Sequence, residues 1–588
     1  EGFRNKQLNC HEVENLLNQM ICGISDRPTK LSYEAIMPLL QKVLDVVNTS
    51  FDNIIVSSEP IPKVKLLRSD IVVRNKQVPL QIEVSIDKDC SPLYHLTLEI
   101  IDNEDINTIN NDFNLMSLGF IESGDTHIFK PTICVSDYVL DKKAVAIEVK
   151  CVYSTNGDKS KIRTTKLSLH LYNSDEFVTV PNPYAAVAES GPLSANSNMF
   201  FGQKEYIKQV VETIIDSPSK QVIIFGQKRS GKSSVLNKVQ QELTAAGAFC
   251  VQFSLGKIVR NISEYAFYYK ILSEIEFSLN SLKEDGQIVP CFSIPSSRNA
   301  FQEEDCENPV ETFTKYMREF KKECRKVDGW KEKRLVVLID EFTYMYGAIR
   351  MGKISPTIMM QWKAITQDEY AQFSVVLVGQ DVVPAFKQEP YARNAFGVIK
   401  DLRLSYLNEE DAKELIVSPI LIDGNSRFNE KAVELIQDYT ACNPYYLQIF
   451  CSHLVDFMNK EKYNTVTEAD VEEVAQLLIS GANSLDKAKF ENLLSSGETD
   501  DSYNTDGNKV DEAIKTFSDD EVETVLKSIA NASASKVWAI RSDITTELTK
   551  EREDGILQQL YDRDVLDRKD ENYYRIKVRL YKEWLLNH

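Results

Sequence analysis

Apolar residues recur in different rhythms along this chain, and the predicted elements change wherever the rhythm does. Near the start, Val13, Leu16, Leu17, Met20 and Ile21, and then Ile36, Leu39, Leu40, Val43 and Val47, recur at helical spacing, which gathers side chains on one helix face. Residues 1–60 are read as an N-terminal helical segment. Over 61–175 the period drops to two. VPLQIEVSID, LYHLTLEIID, AVAIEVKCVYS and TTKLSLHLYN alternate apolar with polar positions, separated by Asn, Asp, Gly, Ser and Pro. Such alternation predicts a β-sandwich of immunoglobulin-like type.

Residues 176–405 break the alternation. A lead-in rich in Pro, Ser, Ala and Asn (179–203) reads as a linker. Short unbroken apolar runs follow, at 222–225, 246–255, 335–339 and 373–379, with helical stretches between them. Runs of that kind are strands buried on both faces, as in a parallel sheet. The stretch from about 284 to 310 holds three prolines and two cysteines and reads as an irregular surface excursion. Helical spacing returns over 406–485, read as a helical lid, and the acidic, polar 486–515 reads as a flexible linker. Over 516–588, VETVLKSIA, DITTEL and EDGILQQLYDRDVL predict three helices, followed by a β-wing and a closing helix. That order fits a winged helix.

Composition narrows the picture further. A chain of 588 residues is too long for one core. No apolar run is long enough to span a bilayer, and no secretory signal is present. Eleven scattered cysteines without a C-x-x-C pair indicate reduced thiols, so a cytoplasmic protein with no membrane partner is expected. The first residue is Glu1, and a trimmed chain with a segment upstream is expected. A net charge of −20 opposes non-specific adhesion to nucleic acid. Residues 517–588 carry 12 Lys/Arg against 15 Asp/Glu. A protein or intramolecular contact is therefore favoured there over DNA, with nucleic acid kept as an open alternative.

The chemistry concentrates at QVIIFGQKRSGKSSVLNKVQQ, 221–241. A buried-looking strand runs into G-x-x-x-x-G-K-S and then into an amphipathic segment. Gly226 and Gly231 let the backbone of Gln227, Lys228, Arg229, Ser230 and Ser234 curl its N–H groups toward phosphate oxygens, and the following helix N-terminus adds positive potential. Lys232 reaches the β- and γ-phosphates, and Ser233 offers its hydroxyl to Mg²⁺. The run RLVVLIDEF (334–342) ends in Asp340 and Glu341 at the carboxyl end of a strand, where open α/β sheets bind ligands. Asp340 is the expected Mg²⁺ ligand and Glu341 the residue that activates water. Gln380 follows another strand and is either a γ-phosphate sensor or a turn residue. Arg393 is either an arginine finger toward a neighbouring subunit or a solvated surface arginine. Asn443-Pro444 opens a helix and caps it. Arg4 and His11 loosely match the R-x(4–6)-H pattern of helical ribonucleases, which surface residues also meet by chance. His95, His127 and His170 lie near strands without metal-ligand spacing.

Taken in order, residues 182–588 resemble the STAND-type ATPases of bacteria and archaea, relatives of origin-recognition AAA+ proteins. The carriers are Asn182-Pro183-Tyr184, Gly191-Pro192-Leu193, Phe200 to Glu205, the two Walker motifs, Gly379-Gln380, Tyr391-Ala392-Arg393, Asn443 to Tyr446, and Tyr574 to Val578 with Trp584. Gln203 stands where the family has an arginine. The resemblance implies an ATP- and Mg²⁺-dependent switch that changes conformation or oligomerises on ligand or partner recognition. It also implies an adenine-side place for Pro444 and a setting in prokaryotic conflict or antiphage defence. The alternative is a DNA-binding AAA+ ATPase of replication or transposition, with the winged helix on DNA.

Overall fold

The computed structural model describes the chain except residues 1–2, 58, 89, 110–116, 156–159, 189–190, 217–218, 305–307, 423, 482–483 and 496–516, and except the side chains of 3–5, 55–57, 174 and 187–188. The described residues form two compact units. One is Glu1–Val180 with Arg427–Asn429 and Phe457–Asp470, and the other is Pro181–Ser426 with Glu430–Asp456 and Val471–His588.

The first unit opens with α1 (Phe3–Asp26) and α2 (Met37–Ser57), packed against each other. The helical periodicity places these elements correctly, but not their environment. Among the described residues of the two helices only Leu17 and Met37 are buried, while Leu16 (59%) and Met20 (57%) stand exposed. Two helices cannot cover their own apolar stripes.

The β region that follows builds a five-stranded sheet in the order 70–73, 161–173, 144–154, 93–100, 117–121, flanked by two three-stranded sheets. All pairs are antiparallel except 70–73 with 161–173. Inward residues of the three sheets, among them Ile71, Val84, Leu98, Ile133 and Leu169, share one core. At His95, with φ 51°, the register against 144–154 slips by one residue, while that against 117–121 stays constant. This local bulge shifts the alternation by one and turns the ring outward.

Arg68 joins these sheets to 457–470. Its guanidinium donates to Thr465 O at 2.8 and 3.1 Å, pairs with Asp470 and lies 3.7 Å from the Tyr463 ring centroid. Asp470 also accepts from Gln81 Nε2 (3.0 Å) and Thr467 N (2.8 Å).

The second unit is organised by five parallel strands: β1 (Gln221–Phe225), β2 (Phe249–Ser254), β3 (Leu335–Asp340), β4 (Ser374–Gly379) and β5 (Ile399–Arg403). Their order is β2-β3-β4-β1-β5. Alternate residues serve opposite faces. Val222, Ile224, Val336, Leu338, Val376 and Val378 pack against α3 (Lys204–Asp216) and α4 (Lys232–Ala245). Ile223, Val251, Val337, Ile339, Val375 and Leu377 pack against α5 (Glu264–Glu284) and α6 (Pro309–Cys324). Burial on both faces explains the unbroken apolar runs.

Four segments differ from their sequence reading. In the lead-in, Leu193 is tied to α4: its N–H donates to Ser234 Oγ (2.9 Å) and its carbonyl accepts from Asn237 (2.8 Å). In the 284–310 excursion, residues Arg298–Glu304 form a helix because Phe301 is fully buried among Tyr265, Tyr269 and Tyr316. Of the acidic linker, 496–515 lies outside the described residues, but 487–494 is helical, with Phe490 and Leu493 buried. DITTEL is not a helix. Thr546 Oγ1 donates to Glu553 (2.8 Å) and Thr549 caps the helix that follows.

Helices at Glu409–Val417 and Glu430–Thr440 and then α7 (Pro444–Glu461) follow the sheet. The C-terminal part sets α8 (Asp519–Ala532), α9 (Lys550–Asp562) and α10 (Arg579–Asn587) with an antiparallel three-stranded sheet. Among the described residues no helix is long and apolar enough to cross a membrane.

Replacing Arg68 with Ala leaves the Asp470 carboxylate buried without its cation. The urea midpoint of the transition that unfolds the first unit is expected to fall by the equivalent of about 3 kcal/mol. Gln81→Leu, which removes one neutral donor, is expected to cost about 1 kcal/mol.

Candidate nucleotide-binding site

The loop between β1 and α4 follows from a steric conflict at its first residue. A Cβ on Gly226 would lie 2.3 Å from the Leu404 carbonyl oxygen, so only glycine lets the chain leave β1 beside β5. Arg229 (φ 64°) and Gly231 (φ 92°) take left-handed conformations and turn the backbone into the N-terminus of α4. Lys232 is folded inward, its Nζ donating to Gly226 O (3.0 Å) and Gln227 O (2.7 Å). Ser233 begins the helix beside it.

The loop fits a polyphosphate. Its glycines permit the curl, the start of α4 supplies N–H groups, and Lys232 rests on carbonyls that a phosphate can replace. Ser230 Oγ and Gln227 Nε2 are buried with no hydrogen-bond partner among the described residues. Lys228 Nζ stands 3.8 Å from Glu491 and completes no hydrogen bond there.

Strand order brings the other predicted residues to the same sheet edge. Asp340 and Glu341 end β3, Gln380 follows β4, and β4 lies between β3 and β1. Asp340 Oδ1 accepts the Glu341 N–H at 2.8 Å. Glu341 sits at φ 55°, and its carboxylate accepts from Ser254 Oγ and from Gly256 N (3.1 Å), beyond the end of β2. A Cβ on Gly256 would lie 2.3 Å from that carboxylate oxygen. Ser233 and Asp340, the Mg²⁺ ligands expected from the sequence, lie in the first turn of α4 and at the end of β3. Gln380 is buried, with its N–H 3.4 Å from Thr343 Oγ1.

Segments later in the chain cover the loop. Arg229 donates to Tyr445 Oη (2.7 Å) and to the carbonyls of Ala488 (3.3 Å) and Lys489 (3.1 Å). Asn443 Oδ1 accepts the N–H of Tyr445 at 2.9 Å, so Asn443 caps α7 and Pro444 occupies its first turn. Ala441 and Cys442, both near φ 55° (51° and 57°), twist the chain into that cap.

Sequence reasoning missed a charged cluster at this edge. Asp381 follows Gln380 and lies 3.5 Å from Arg403 and 3.9 Å from Arg563. Arg563 donates to the carbonyls of Asn492, Leu494 and Ser495, and Asp564 takes Lys577 at 3.0 Å. Burial pushes the Asp381 carboxyl up to about 6, against the pull of Arg563, Arg403 and Lys232. Tyr406 donates to Gln227 at 2.5 Å, and burial raises its hydroxyl far above its usual range. Only the polar pair Gln380-Asp381 after an apolar strand marked this cluster in the sequence.

Two predicted residues lie outside it. Arg393 is exposed, with its Nε on Gln388 O at 3.0 Å. His11 is exposed too, 3.2 Å from Glu14 and against Phe51, and the side chain of Arg4 lies outside the described residues. No metal-binding His/Cys/Asp/Glu group occurs among the described residues. A cavity of about 440 Å³ beside α3 and α4, lined by Phe200, Phe201, Val211 and Lys238, shares no residue with the loop.

No protein-family model matches this chain, and no curated protein matches it. Solved structures with a similar arrangement include a Walker-type ATPase of Pyrococcus abyssi, 15% identical over 68% of this chain and 99% of that one, with a TM-score of 0.43. The ORC2 protein of Aeropyrum pernix, in ADPNP–ADP complexes, is 11% identical over 70% of this chain and 97% of its own, with a TM-score of 0.44. The RuvB Holliday junction branch migration motor of Thermotoga maritima is 13% identical over 65% and 94%, with a TM-score of 0.31. At these TM-scores the likeness is loose.

Because folding raises the Asp381 carboxyl from 3.8 to about 6, its contribution to stability is fully present below pH 4. It is lost as pH rises through about 6. The stability of the wild type relative to Asp381→Asn is expected to fall over that window by at most about 3 kcal/mol, read as the difference between their urea midpoints. Gly226→Ala is expected to destabilise the second unit by about 2 kcal/mol, because the Leu404 carbonyl must retreat from the new Cβ.

Proposed function

We propose that this protein is an ATP-binding and hydrolysing switch of the AAA+ and STAND type. It changes conformation or oligomerises when a ligand or partner is recognised. One observation carries the reading: the phosphate loop is engaged, through Arg229, by groups that come long after it in the chain, Tyr445 and the carbonyls at 488–489. A nucleotide entering that loop displaces such contacts, so loading and conformation are linked.

In this reading the loop backbone from Gly226 to Ser234 and the Lys232 ammonium bind the phosphates. Ser233 and Asp340 hold Mg²⁺, which when bound neutralises phosphate charge. Glu341 accepts the proton of the attacking water, Gln380 senses the terminal phosphate and Pro444 lies on the adenine side. Arg393, exposed and bonded at Gln388 O, suits a finger directed at a neighbouring subunit. The uncovered apolar stripes of α1 and α2 support a protein partner or a second copy. The defence setting follows from the resemblance in the sequence, and the winged-helix reading of 516–588 from the order of its helices and wing.

A second reading, a DNA-binding AAA+ ATPase, is favoured by one feature. Between Pro309 and Arg334 the chain carries nine Lys/Arg against five Asp/Glu, in a protein of net charge −20. Arg318, Lys321, Lys322 and Arg325 line a groove of about 390 Å³ with Tyr370. Such a strip suits a phosphate backbone.

Glu341→Gln is expected to bind ATP as the wild type does while turnover falls at least about a hundredfold. Lys232→Ala is expected to lose binding. Light scattering with and without ATP and Mg²⁺ tests the switch: a larger assembly for wild type or Glu341→Gln supports it, and a constant mass and shape with ATP bound contradicts it. Salt-dependent DNA binding that disappears in a Lys321→Glu, Arg325→Glu double variant would favour the second reading.

A further inference from the structure

Arg563 is buried and Arg403 is half-buried, and the inward-facing nitrogens of both lack full partners among the described residues. Arg403 ends β5, in register with Phe225, the residue before the phosphate loop. Its Nη2 lies 3.5 Å from Asp381 and 3.1 Å from Asp564, yet neither contact has hydrogen-bond alignment, and its Nε has no partner among the described residues. Arg563 uses both terminal nitrogens on main-chain carbonyls, while its Nε, 3.9 Å from Asp381, completes no hydrogen bond. Asp381 Oδ1 likewise accepts none among the described residues. One carboxylate thus faces two guanidinium groups at ion-pair distance and satisfies neither.

Buried guanidinium groups are ordinarily matched by bidentate acceptors, and each orphaned buried atom costs stability. Here the orphans sit at one place. Asp381 adjoins Gln380 at the sheet edge and is within electrostatic reach of Lys232, and Ser230 Oγ and Gln227 Nε2 are unpartnered in the same loop. Donors exceed acceptors, and the deficit is what a group with several anionic oxygens would fill.

We propose that Asp381 stands in for the terminal phosphate of a nucleoside triphosphate, and that Arg403, assisted by Arg563 Nε, distinguishes triphosphate from diphosphate. This rests on the ATP-binding reading. With triphosphate bound, the two arginines exchange a poorly aligned carboxylate for a phosphate whose oxygens match the guanidinium fork. With diphosphate they return to Asp381. Arg563 precedes Asp564 and holds the carbonyls of 492–495, so its change of partner is felt by the C-terminal part of the chain. The arginines are specificity-determining residues, and Asp381 is a competitor for them.

The test measures the affinities of the full chain for a fluorescent non-hydrolysable ATP analogue and for fluorescent ADP, in wild type, Arg403→Gln, Arg403→Lys and Asp381→Asn. Arg403→Gln is expected to weaken the triphosphate about tenfold, one charge-assisted hydrogen bond, while changing ADP less than about twofold. Arg403→Lys is expected to recover part of the loss. Asp381→Asn is expected to tighten the triphosphate several-fold, the opposite sign from that of a merely structural ion pair. An unchanged ATP-to-ADP ratio in Arg403→Gln, or weaker triphosphate binding in Asp381→Asn, overturns this inference while leaving ATP binding intact. A wild type that binds neither nucleotide overturns the ATP reading and this inference with it.

Discussion

Apolar side chains cover both faces of the five-stranded sheet, and this pushes nearly all of its chemistry to the strand ends. Val222, Ile224, Val376 and Val378 face one layer of helices, and Ile223, Val375 and Leu377 the other, so a polar group on these central strands would lose its hydration. The central position of β1 then fixes the site. Flanked by β4 and β5, it opens into a loop that passes between the Gln380-Asp381 turn and the backbone at Leu404. The 2.3 Å approach that a Cβ at Gly226 would make measures how tightly these three strand ends converge. The side chains of Asp381 and Arg563 are withdrawn from solvent there and Arg403 is only partly exposed. Asp381, Arg403 and Arg563 must therefore be balanced as a group, or by whatever the loop binds.

What holds the later segments over the loop differs in kind from the charged contacts beside it. Phe490 stacks within 5.7 Å of Tyr446, 4.8 Å of Tyr581 and 5.2 Å of Trp584, measured between ring centroids, and Trp584 Nε1 bonds to Leu485 O at 2.8 Å. Aromatic burial of this sort depends little on charge state, and each such pair adds about 1 kcal/mol beyond area burial. The ionic contacts nearer the loop are long and poorly aligned, and they respond to charge. An apolar anchor with a loose ionic layer above it lets the local electrostatics rearrange while the segment keeps its attachment.

The parts legible in the sequence were those whose chemistry is local. G-x-x-x-x-G-K-S and the apolar run into Asp340-Glu341 carry their geometry in adjacent residues, and the structure brings both to one sheet edge. Arg403 and Arg563 gave no sign, because their partner Asp381 is distant in sequence and no spacing records a cluster assembled by tertiary contact. The reading of 486–515 failed in its first ten residues for a related reason. An acidic average hid Phe490, Leu493 and Leu494, and three buried apolar side chains suffice to order a segment that composition marks as solvated. DITTEL carried a helical pattern but also Thr545 and Thr546, whose side chains and backbone find partners outside a helix. In α1 and α2 the stripe was correctly located, but periodicity states only that a face is apolar and never what covers it.

Glu341 combines a strained backbone with a well-bonded carboxylate. A non-glycine residue at φ 55° carries backbone strain of order 1 kcal/mol, and the strain here is met by bonds from Ser254 Oγ and Gly256 N to the carboxylate. Hydrogen bonds to a charged group contribute about 1.5–3 kcal/mol each, so together they outweigh the strain and hold the carboxylate toward β2, one strand beyond β3 and away from β1. The missing Cβ at Gly256 is what makes room for it. Acting as the proposed base, Glu341 would have to give up those bonds before accepting a proton from water beside the loop. On the proposed reading that cost would slow hydrolysis without weakening nucleotide binding, as a switch requires.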